Sequence, residues 1–336
     1  MNLFTLTRAL IDIDSTTGRE REVGDFLFRS LEDLTRRTRG TVELMPVVDD
    51  RFNVFAAWGE PAVVLSTHMD TVPPFFPSSE DEDFIRGRGA CDTKGGIAVM
   101  IQAIEELLAF GRRSFGLLLV VGEETDSAGA QTANRHPRGS RYLVNGEPTE
   151  NRLALGSKGM LYMAFEAAGR AAHSAYPELG DSAIDKLMDA LARLKTVPLP
   201  SDAVLGETTL NIGTLSGGRA HNVVADQARA EVTLRTVGDT AELRRNLAAA
   251  VHSVSGLRIA EIRETPAIHL GSLPGFETTI VKYTTDVPRL SAWGEPFLLG
   301  PGSIHVAHTP EERVAKHDLA AAVHLYKEMV CRLQDR

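Results

Sequence analysis

The 336-residue sequence predicts an α/β fold in which a second, smaller domain is inserted into the first. In the first half of the chain, short apolar strands alternate with helices, which is typical of α/β proteins. Residues 115–121 contain no polar side chain, as expected for a strand that is covered on both faces. Between residues 158 and 263 the order changes to strand–helix–strand–strand–helix–strand. This ferredoxin-like order predicts a separate domain.

The first domain is predicted to comprise residues 1–157 and 264–336. It begins with two helices, because apolar residues recur at helical spacing from Leu3 and again from Val23. Short apolar segments predict strands at 42–45, 53–57, 63–66, 115–121 and 141–144. Two further helices are predicted, at 95–109 and from residue 316. The alternation of strands and helices favours a sheet flanked by helices.

The inserted domain is predicted to comprise residues 158–263, about a hundred residues, which is a usual domain size. Its elements are strands at 160–168, 208–215, 228–237 and 257–263, and helices at 182–195 and 240–253. After it, residues 284–299 return to the α/β pattern of the first domain.

Composition excludes several classes of protein. The chain has 36 Lys and Arg against 45 Asp and Glu, a formal charge of −9, which disfavours binding to nucleic acid or anionic lipid. Its two cysteines, Cys91 and Cys331, cannot build a disulfide framework or a cysteine zinc site. The sequence lacks a leader pattern and any apolar segment of membrane-spanning length, so we expect a cytoplasmic protein that does not bind membranes.

A histidine and an aspartate follow the strand predicted at 63–66. In the spacing His68-x-Asp70 both side chains point the same way along an extended segment. Asp70 could then accept a hydrogen bond from one ring nitrogen of His68 and leave the other for a metal. A surface histidine beside a turn aspartate is the alternative.

A glycine-rich segment at 86–96 contains Asp92, just before the helix predicted at 95–109. The segment lacks the third glycine of a dinucleotide fingerprint and the Gly-Lys-Ser/Thr of a Walker loop. A nucleotide-binding oxidoreductase is therefore disfavoured. Asp92 could instead be presented to a ligand at the start of the helix.

Three further loops carry acidic residues or histidines: Glu123 and Glu124 after the apolar strand, Glu147 in a turn, and His305 and His308 near a predicted helix start. Each has an ordinary alternative, namely a helix N-terminus, a turn or a capping loop. Together, imidazole and carboxylate side chains at the ends of several strands predict a site for zinc, manganese or cobalt. Five such ligands, with one shared aspartate, could hold two ions about 3.5–4 Å apart.

The five segments HMDTVP, GRGACDTKGG, GEET, NGEPT and GPGSIHVAHTPEE resemble, in order, the motif blocks of a known family. It is the di-zinc metallopeptidase and deacylase family of acetylornithine deacetylase, succinyl-diaminopimelate desuccinylase, carboxypeptidase G and aminoacylase. The resemblance spans essentially the whole chain. It implies a zinc-peptidase-like mixed sheet flanked by helices and an inserted ferredoxin-like lid or dimerisation domain.

The resemblance also implies roles for individual residues. Two divalent metal ions are expected, zinc first, with cobalt or manganese as alternatives. Their ligands are His68, Asp92, Glu124, Glu147 and His308. Asp92 is the shared ligand and precedes a cis peptide to Thr93, Glu123 is the general base, and Asp70 orients His68. His308 is chosen over His305 because it stands directly before the segment Thr309–Glu312, which matches the family pattern.

Three residues of the inserted domain complete the implied site. His173, in the segment GRAAHSA, resembles the histidine that reaches the partner subunit and polarises the scissile carbonyl, so a homodimer is expected. Asn222 and Arg235 resemble residues that contact the substrate, and arginine suits a carboxylate. Ala225 stands where the family usually has proline, which loosens the match near Asn222. Without the resemblance, each of the three would be an ordinary surface, turn or strand-edge residue.

The predicted function is metal-dependent hydrolysis of the amide bond of N-acyl amino acids, as in acetylornithine deacetylase. A succinyl-diaminopimelate desuccinylase-like activity, or a dipeptidase or carboxypeptidase activity on short peptides, would use the same residues. An alternative of another class is a non-catalytic binding protein on the same scaffold. The complete set of five predicted ligands favours an enzyme over that alternative.

Overall fold

The computed structural model describes all 336 residues and divides the chain into two compact units. Unit 1 consists of Met1–Leu155, Leu270–Thr279 and Thr285–Arg336, and unit 2 of Gly156–His269 and Ile280–Thr284. Unit 2 contains the whole predicted insertion, residues 158–263, together with residues 156–157, 264–269 and 280–284, which the sequence prediction assigned to the first domain.

Seven α-helices are present: α1 (Leu3–Ile11), α2 (Arg21–Thr38), α3 (Gly95–Ala109), α4 (Ala128–Asn134), α5 (Ala183–Leu194), α6 (Thr240–Val251) and α7 (Lys316–Gln334). The short helix α4 is absent from the sequence prediction, since AGAQTAN carries no periodic apolar residues. None of the helices combines the length and the apolar character needed to cross a bilayer.

Eighteen strands accompany them: β1 (Thr41–Val48), β2 (Arg51–Trp58), β3 (Val63–His68), β4 (Ser79–Glu80), β5 (Phe84–Arg86), β6 (Phe115–Val120), β7 (Tyr142–Asn145), β8 (Leu153–Ser157), β9 (Gly159–Ala168), β10 (Ser201–Asp202), β11 (Gly206–Glu207), β12 (Thr209–Gly217), β13 (Gln227–Thr236), β14 (Leu257–Thr265), β15 (Ile268–His269), β16 (Thr278–Val281), β17 (Glu295–Leu298) and β18 (Arg313–Ala315).

The main sheet of unit 1 has six strands in the order β1-β2-β6-β3-β7-β17. The pairs β1–β2 and β2–β6 are antiparallel, whereas the pairs β6–β3, β3–β7 and β7–β17 are parallel. Strands β3 and β6 are buried along their whole length. The predicted α/β fold with a mixed sheet is therefore confirmed.

Both faces of this sheet are covered by apolar layers. Leu65 and Leu117 pack into the larger core, which includes residues of α1, α2, α3 and α7. Val64 and Leu118 point to the opposite face, into a smaller core with Ala130 of α4. Burial on both sides explains why these strands lack the polar alternation of a half-exposed sheet. It also fixes the positions of the loops that follow them.

Unit 2 contains a four-stranded antiparallel sheet in the order β12-β13-β9-β14. One face packs against α5 and α6 through an apolar core that includes Leu161, Leu187 and Leu247. Both helices begin at side-chain caps, Ser182 accepting from Asp185 N–H and Asp239 from Ala241 N–H. The strand–helix–strand–strand–helix–strand order thus forms the ferredoxin-like arrangement.

Candidate metal centre

Four adjacent parallel strands of unit 1 bring candidate residues to one edge of the sheet. Strand β3 ends at His68, β6 is followed by Glu124, and β7 by Glu147. Strand β17, beside β7, precedes the loop that carries His308. Because the carboxyl ends of parallel strands lie at the same edge, residues far apart in sequence meet there.

Asp92 reaches this edge from an irregular turn, Ala90–Lys94, that leads into α3. The peptide bond between Asp92 and Thr93 is cis, as the resemblance implies. The Thr93 hydroxyl lies 3.0 Å from the carbonyl oxygen of His68 and 2.7 Å from the Thr67 hydroxyl. Thr67 in turn donates to the carbonyl oxygen of Gly146, 2.8 Å away. These buried threonine contacts join the Asp92 turn to the segments that carry His68 and Glu147.

The Asp92 carboxylate lies between two groups of side chains. Its Oδ1 is 3.0 Å from Nε2 of His68, and its Oδ2 is 3.2 Å from Nε2 of His308. Glu147 Oε2 lies on the His68 side, 4.0 Å from the same Nε2, and Glu124 Oε1 on the His308 side, 3.1 Å from that ring. One ligand atom each from His68, Asp92 and Glu124 all lie within 4.8 Å of one another, so this group could hold a metal ion.

His308 rather than His305 enters the group: both histidines are exposed, but only His308 contacts Asp92 and Glu124. His308 has a φ of 63°, in the left-handed region. That conformation is unfavourable for a residue with a Cβ and is maintained only when surrounding contacts impose it. Hydrogen bonds to Asp92 and Glu124 raise the pKa of His308 to about 10.

Asp70 is buried beside His68 and contacts more than the imidazole. Nδ1 of His68 lies 2.9 Å from the main-chain oxygen of Asp70 and 3.5 Å from its Oδ1. The carboxylate also accepts from the backbone N–H groups of Glu123 and Glu124, at 3.1 and 3.2 Å, and from the hydroxyl of Thr17 at 2.8 Å. Asp70 therefore fixes both the His68 ring and the start of the turn that carries the two glutamates.

The electrostatics of the group fit a divalent cation. Burial raises the pKa of Glu147 well above its ordinary value, and the negative charges of Asp92 and Glu124 raise it further. Its buried Oε1 has no hydrogen-bond partner. Burial alone would also raise the pKa of Asp92, but hydrogen bonds from His308 and His68 lower it below the ordinary range. A cation would balance this concentration of carboxylates and satisfy the Glu147 oxygen.

Glu123 lies next to this group and has a different environment from Glu124. Burial raises the pKa of Glu123 well above its ordinary value, and the carboxylate of Glu147 raises it further. Its side chain makes no hydrogen bond to His68 or His308, and the backbone N–H of Glu123 donates to Oδ1 of Asp70, which fixes the main chain at this position. A carboxylate with an elevated pKa beside a metal site is suited to accept and return a proton.

Unit 2 brings two of its three candidates together. His173 and Val223 form an isolated bridge, and Ser174 N–H donates to the carbonyl oxygen of Asn222 at 3.0 Å. The side chains of both His173 and Asn222 are exposed. Nδ1 of His173 accepts from Ala175 N–H at 3.1 Å, so in the neutral ring the proton lies on Nε2.

Arg235 lies elsewhere in unit 2, on β13 opposite Met160 and Thr209. It is half-buried, and burial lowers its pKa from the ordinary value. Other arginines of this sheet, such as Arg229 and Arg258, pair with Glu166, whereas Arg235 has neither a hydrogen bond nor an ion pair. A partly desolvated guanidinium without a partner is costly, and an anionic ligand would relieve that cost.

Two residues that sequence reasoning did not single out also belong to the surroundings of the site. Arg88 and Glu312 form an ion pair of 2.5 Å whose side chains are 2% and 0% exposed. Each lies a few residues from a predicted ligand, Arg88 before Asp92 and Glu312 after His308. The available signal was that Arg88 and Glu312 lie within the segments that carry Asp92 and His308, but nothing in the sequence indicates that the two pair with each other.

Comparison with known proteins decides the family. The family model described as peptidase family M20/M25/M40 matches residues 64–332. The chain belongs to this family. The M20 assignment confirms the resemblance drawn from the five motif blocks, and the chain is accordingly a peptidase-like hydrolase that acts on peptide bonds.

Relatives of the M20 chain include fungal proteins. A peptidase M20 domain-containing protein of Schizosaccharomyces pombe is 40% identical over 342 residues, which cover 98% of this chain and 84% of the relative. A protein of Aspergillus fumigatus named "Probable carboxypeptidase" is 37% identical over 387 residues, which cover 99% and 87%. The solved structure of the aminopeptidase PepT from Bacillus cereus superimposes with a TM-score of 0.81 at 19% identity, covering 99% of this chain and 98% of that one.

Proposed function

We propose that this M20 hydrolase uses two divalent ions, zinc first, to release the C-terminal amino acid of short peptides, a carboxypeptidase or dipeptidase activity. The observation that carries the proposal is the Asp92 carboxylate placed between two imidazole–carboxylate groups. The carboxypeptidase name of relatives at 37% identity favours peptides over other amides.

The five side chains divide naturally between two ions. His68 and Glu147 would hold one ion and His308 and Glu124 the other, while each Asp92 oxygen faces one group. Imidazole and carboxylate ligands suit zinc, and also manganese or cobalt. When bound, such a pair of ions polarises the scissile carbonyl and lowers the pKa of water.

Glu123 is proposed as the general base. Asp70 accepts from its backbone N–H at 3.1 Å, and burial raises the pKa of its carboxyl group well above the ordinary value, which favours its action as a proton acceptor and donor. The carboxylate would accept a proton from the attacking water and deliver it to the leaving amine. Asp70 thereby positions both the His68 ring and the base.

His173 is proposed to donate a hydrogen bond from its Nε2–H to the oxygen of the scissile carbonyl, where negative charge develops. The acceptor role of Nδ1 towards Ala175 N–H leaves Nε2 as the donor. Following the family resemblance, the carbonyl would lie in the active site of the partner subunit of a homodimer. Asn222, held beside His173, would contact the same substrate.

Arg235 is proposed to bind the free carboxylate of the substrate, because its guanidinium is half-buried and has no partner within the chain. A bidentate arginine–carboxylate contact would select substrates that end in a free carboxyl group.

A substrate panel tests the proposal directly. Purified protein loaded with zinc, manganese or cobalt is incubated with a dipeptide, the same dipeptide as a C-terminal amide, an N-acetyl amino acid and an N-succinyl amino acid, and released amine is measured. We expect cleavage of the free dipeptide, loss of that activity with a chelator, and little cleavage of the amide. Equal cleavage of dipeptide and amide, or no cleavage with any metal, would contradict the proposal.

A second candidate, deacylation of N-acyl amino acids as in acetylornithine deacetylase, is favoured by one observation. The segment GPGSIHVAHTPEE, at residues 300–312, resembles those deacetylases most. This substrate also carries a free carboxylate and would use the same residues. Faster cleavage of the N-acetyl amino acid than of the dipeptide in the panel would select it.

A further inference from the structure

The ion pair of Arg88 and Glu312 is among the most completely buried charges of unit 1. Oε2 of Glu312 lies 2.5 Å from Nη1 of Arg88, and both side chains are inaccessible to solvent or nearly so. Transferring two charges from water costs several kcal/mol per ion, and pairing them usually only balances that cost. Replacing a buried ion pair by apolar side chains of similar volume is often neutral or stabilising, so folding alone does not account for this pair. The role of the pair is therefore inferred from the other groups that Arg88 and Glu312 contact.

Those contacts involve three segments that carry candidate metal ligands. Arg88 Nε donates to the carbonyl oxygen of Pro74, in the loop that follows Asp70, at 3.2 Å. Oε1 of Glu312 accepts from the backbone N–H of Asp92 at 3.4 Å. The main-chain oxygen of Glu312 accepts from Gly87 N–H at 3.2 Å.

Glu312 also belongs to the loop of His308. Its backbone N–H donates to the carbonyl oxygen of Thr309 at 3.4 Å, which closes the turn directly after His308. His308 adopts a left-handed conformation that needs support from its surroundings. Through one side chain and one turn, Glu312 thus contacts the backbone of Asp92 and limits the conformations open to His308.

We propose that the Arg88–Glu312 pair is a positioning device for the metal centre, which sets the Asp92 carboxylate and the His308 ring at the separation that two ions require. The pair touches no ion and no substrate itself. When groups that hydrogen-bond to metal ligands, without binding the metal themselves, are lost, metal affinity typically falls about 10- to 100-fold. The inference rests on the proposed function, because it assumes that Asp92 and His308 bind metal.

The test uses variants that separate folding from positioning. In Arg88→Met/Glu312→Met, both buried charges are replaced by apolar side chains, so no unpaired charge remains. In Arg88→Met/Glu312→Gln, the charges are also absent, but the side-chain oxygen that accepts from Asp92 N–H is restored. The matched control is Glu106→Gln, which breaks the 2.6 Å ion pair with Lys327 between α3 and α7 and touches no candidate ligand.

Zinc affinity is measured by competition with a chromogenic chelator, and the melting temperature of the metal-free protein is measured in parallel. We expect the Met/Met variant to melt close to the wild type without metal but to bind zinc about 10- to 100-fold more weakly. The Met/Gln variant should recover part of that affinity, and Glu106→Gln should bind as the wild type does. The visible spectrum of the cobalt-loaded Met/Met variant should also differ from that of the wild type.

Wild-type zinc affinity in a folded Met/Met variant would overturn the inference. So would weak binding that Met/Gln does not improve and that matches a lower melting temperature of the metal-free protein. If the Met/Met variant does not fold, the zinc affinity of the Glu312→Asp variant is measured instead. It keeps the charge for Arg88 and shortens the reach to Asp92, so unchanged zinc affinity contradicts the inference and weaker affinity supports it. Failure of the wild type itself to bind zinc would instead refute the proposed function.

Discussion

In unit 1, each candidate ligand contacts another candidate ligand, whereas the candidates of unit 2 have no such mutual contacts between their side chains. His68, Asp92 and His308 form a continuous series of contacts of about 3 Å at the edge of the buried sheet. In unit 2, His173 is exposed on a loop and Arg235 has no partner at all.

The two units therefore differ in whether the candidate side chains are already oriented by contacts with one another. Four of the candidate ligands of unit 1 are largely buried and His308 is about half-exposed, and contacts among the five orient them as binding a small cation requires. In unit 2, the side chains of His173 and Arg235 keep free hydrogen-bonding capacity, which suits the substrate contacts proposed for them. Variants of the two units should therefore fail differently, in metal content or the chemical step for unit 1 and in substrate recognition for unit 2.

The largest effect is expected for Glu123→Gln. Loss of the proposed base should lower kcat by about 10²- to 10⁴-fold, because the amide of glutamine cannot accept the proton. Since Glu123 is not among the five proposed ligands, bound zinc should stay at the wild-type level. Steady-state kinetics together with elemental analysis check this. Near-normal turnover with full metal content would remove Glu123 from the mechanism.

His308→Ala should instead change metal content. It removes the only imidazole on the Glu124 side of Asp92, so we expect loss of one metal equivalent and, with it, of most activity. His305→Ala is the matched control, since His305 is an exposed histidine of the same loop and should leave the stoichiometry unchanged. Two equivalents in His308→Ala would contradict the division of ligands proposed here.

His173→Ala tests unit 2 and the proposed dimer together. Loss of an oxyanion donor should cost about 10²- to 10³-fold in kcat, with metal content unchanged. If His173 acts on the partner subunit, mixing subunits of His173→Ala and Glu123→Gln should restore part of the activity, because each mixed dimer contains one intact site. No recovery after demonstrated subunit exchange would place His173 in its own subunit's site or outside catalysis.

Arg235→Met should have the smallest of these effects and should act on recognition. Loss of a charged hydrogen bond, about 1.5–3 kcal/mol, corresponds to a decrease of about 10- to 100-fold in kcat/KM. The decrease should appear for a substrate with a free carboxylate and vanish for its C-terminal amide. Arg258→Met, which breaks only an exposed pair with Glu166 on the same sheet, is the control. An equal decrease for both substrates would refute the carboxylate role.

The sequence predicted those parts of the structure whose signals are local. Helix α3 lies where apolar periodicity places it, and β6 follows from an uninterrupted apolar run. The candidate residues at strand ends could also be found, since a carboxylate directly after a buried strand is unexpected for folding alone. Helix α4 was missed because its small and polar residues have no periodic pattern.

What the sequence could not provide depends on pairings at long range. Arg88 and Glu312 are separated by 224 residues, and neither motif indicates that these charges are buried. The contact of Asp70 with the backbone of the glutamate turn is likewise invisible, because it involves main-chain groups that every residue carries. Residue types can thus suggest ligands, but the groups that hold them appear only in the folded chain.

The order of the ligands along the chain has a consequence for biosynthesis. Four of them, His68, Asp92, Glu124 and Glu147, precede unit 2, whereas His308 and the edge strand β17 follow it. A ribosome must therefore translate all of unit 2 before the fifth ligand exists. Because domains usually fold as units during synthesis, unit 2 can fold while the proposed metal centre still lacks its fifth ligand. Under the proposed function, both ions can therefore be bound only after unit 2 and His308 have been translated.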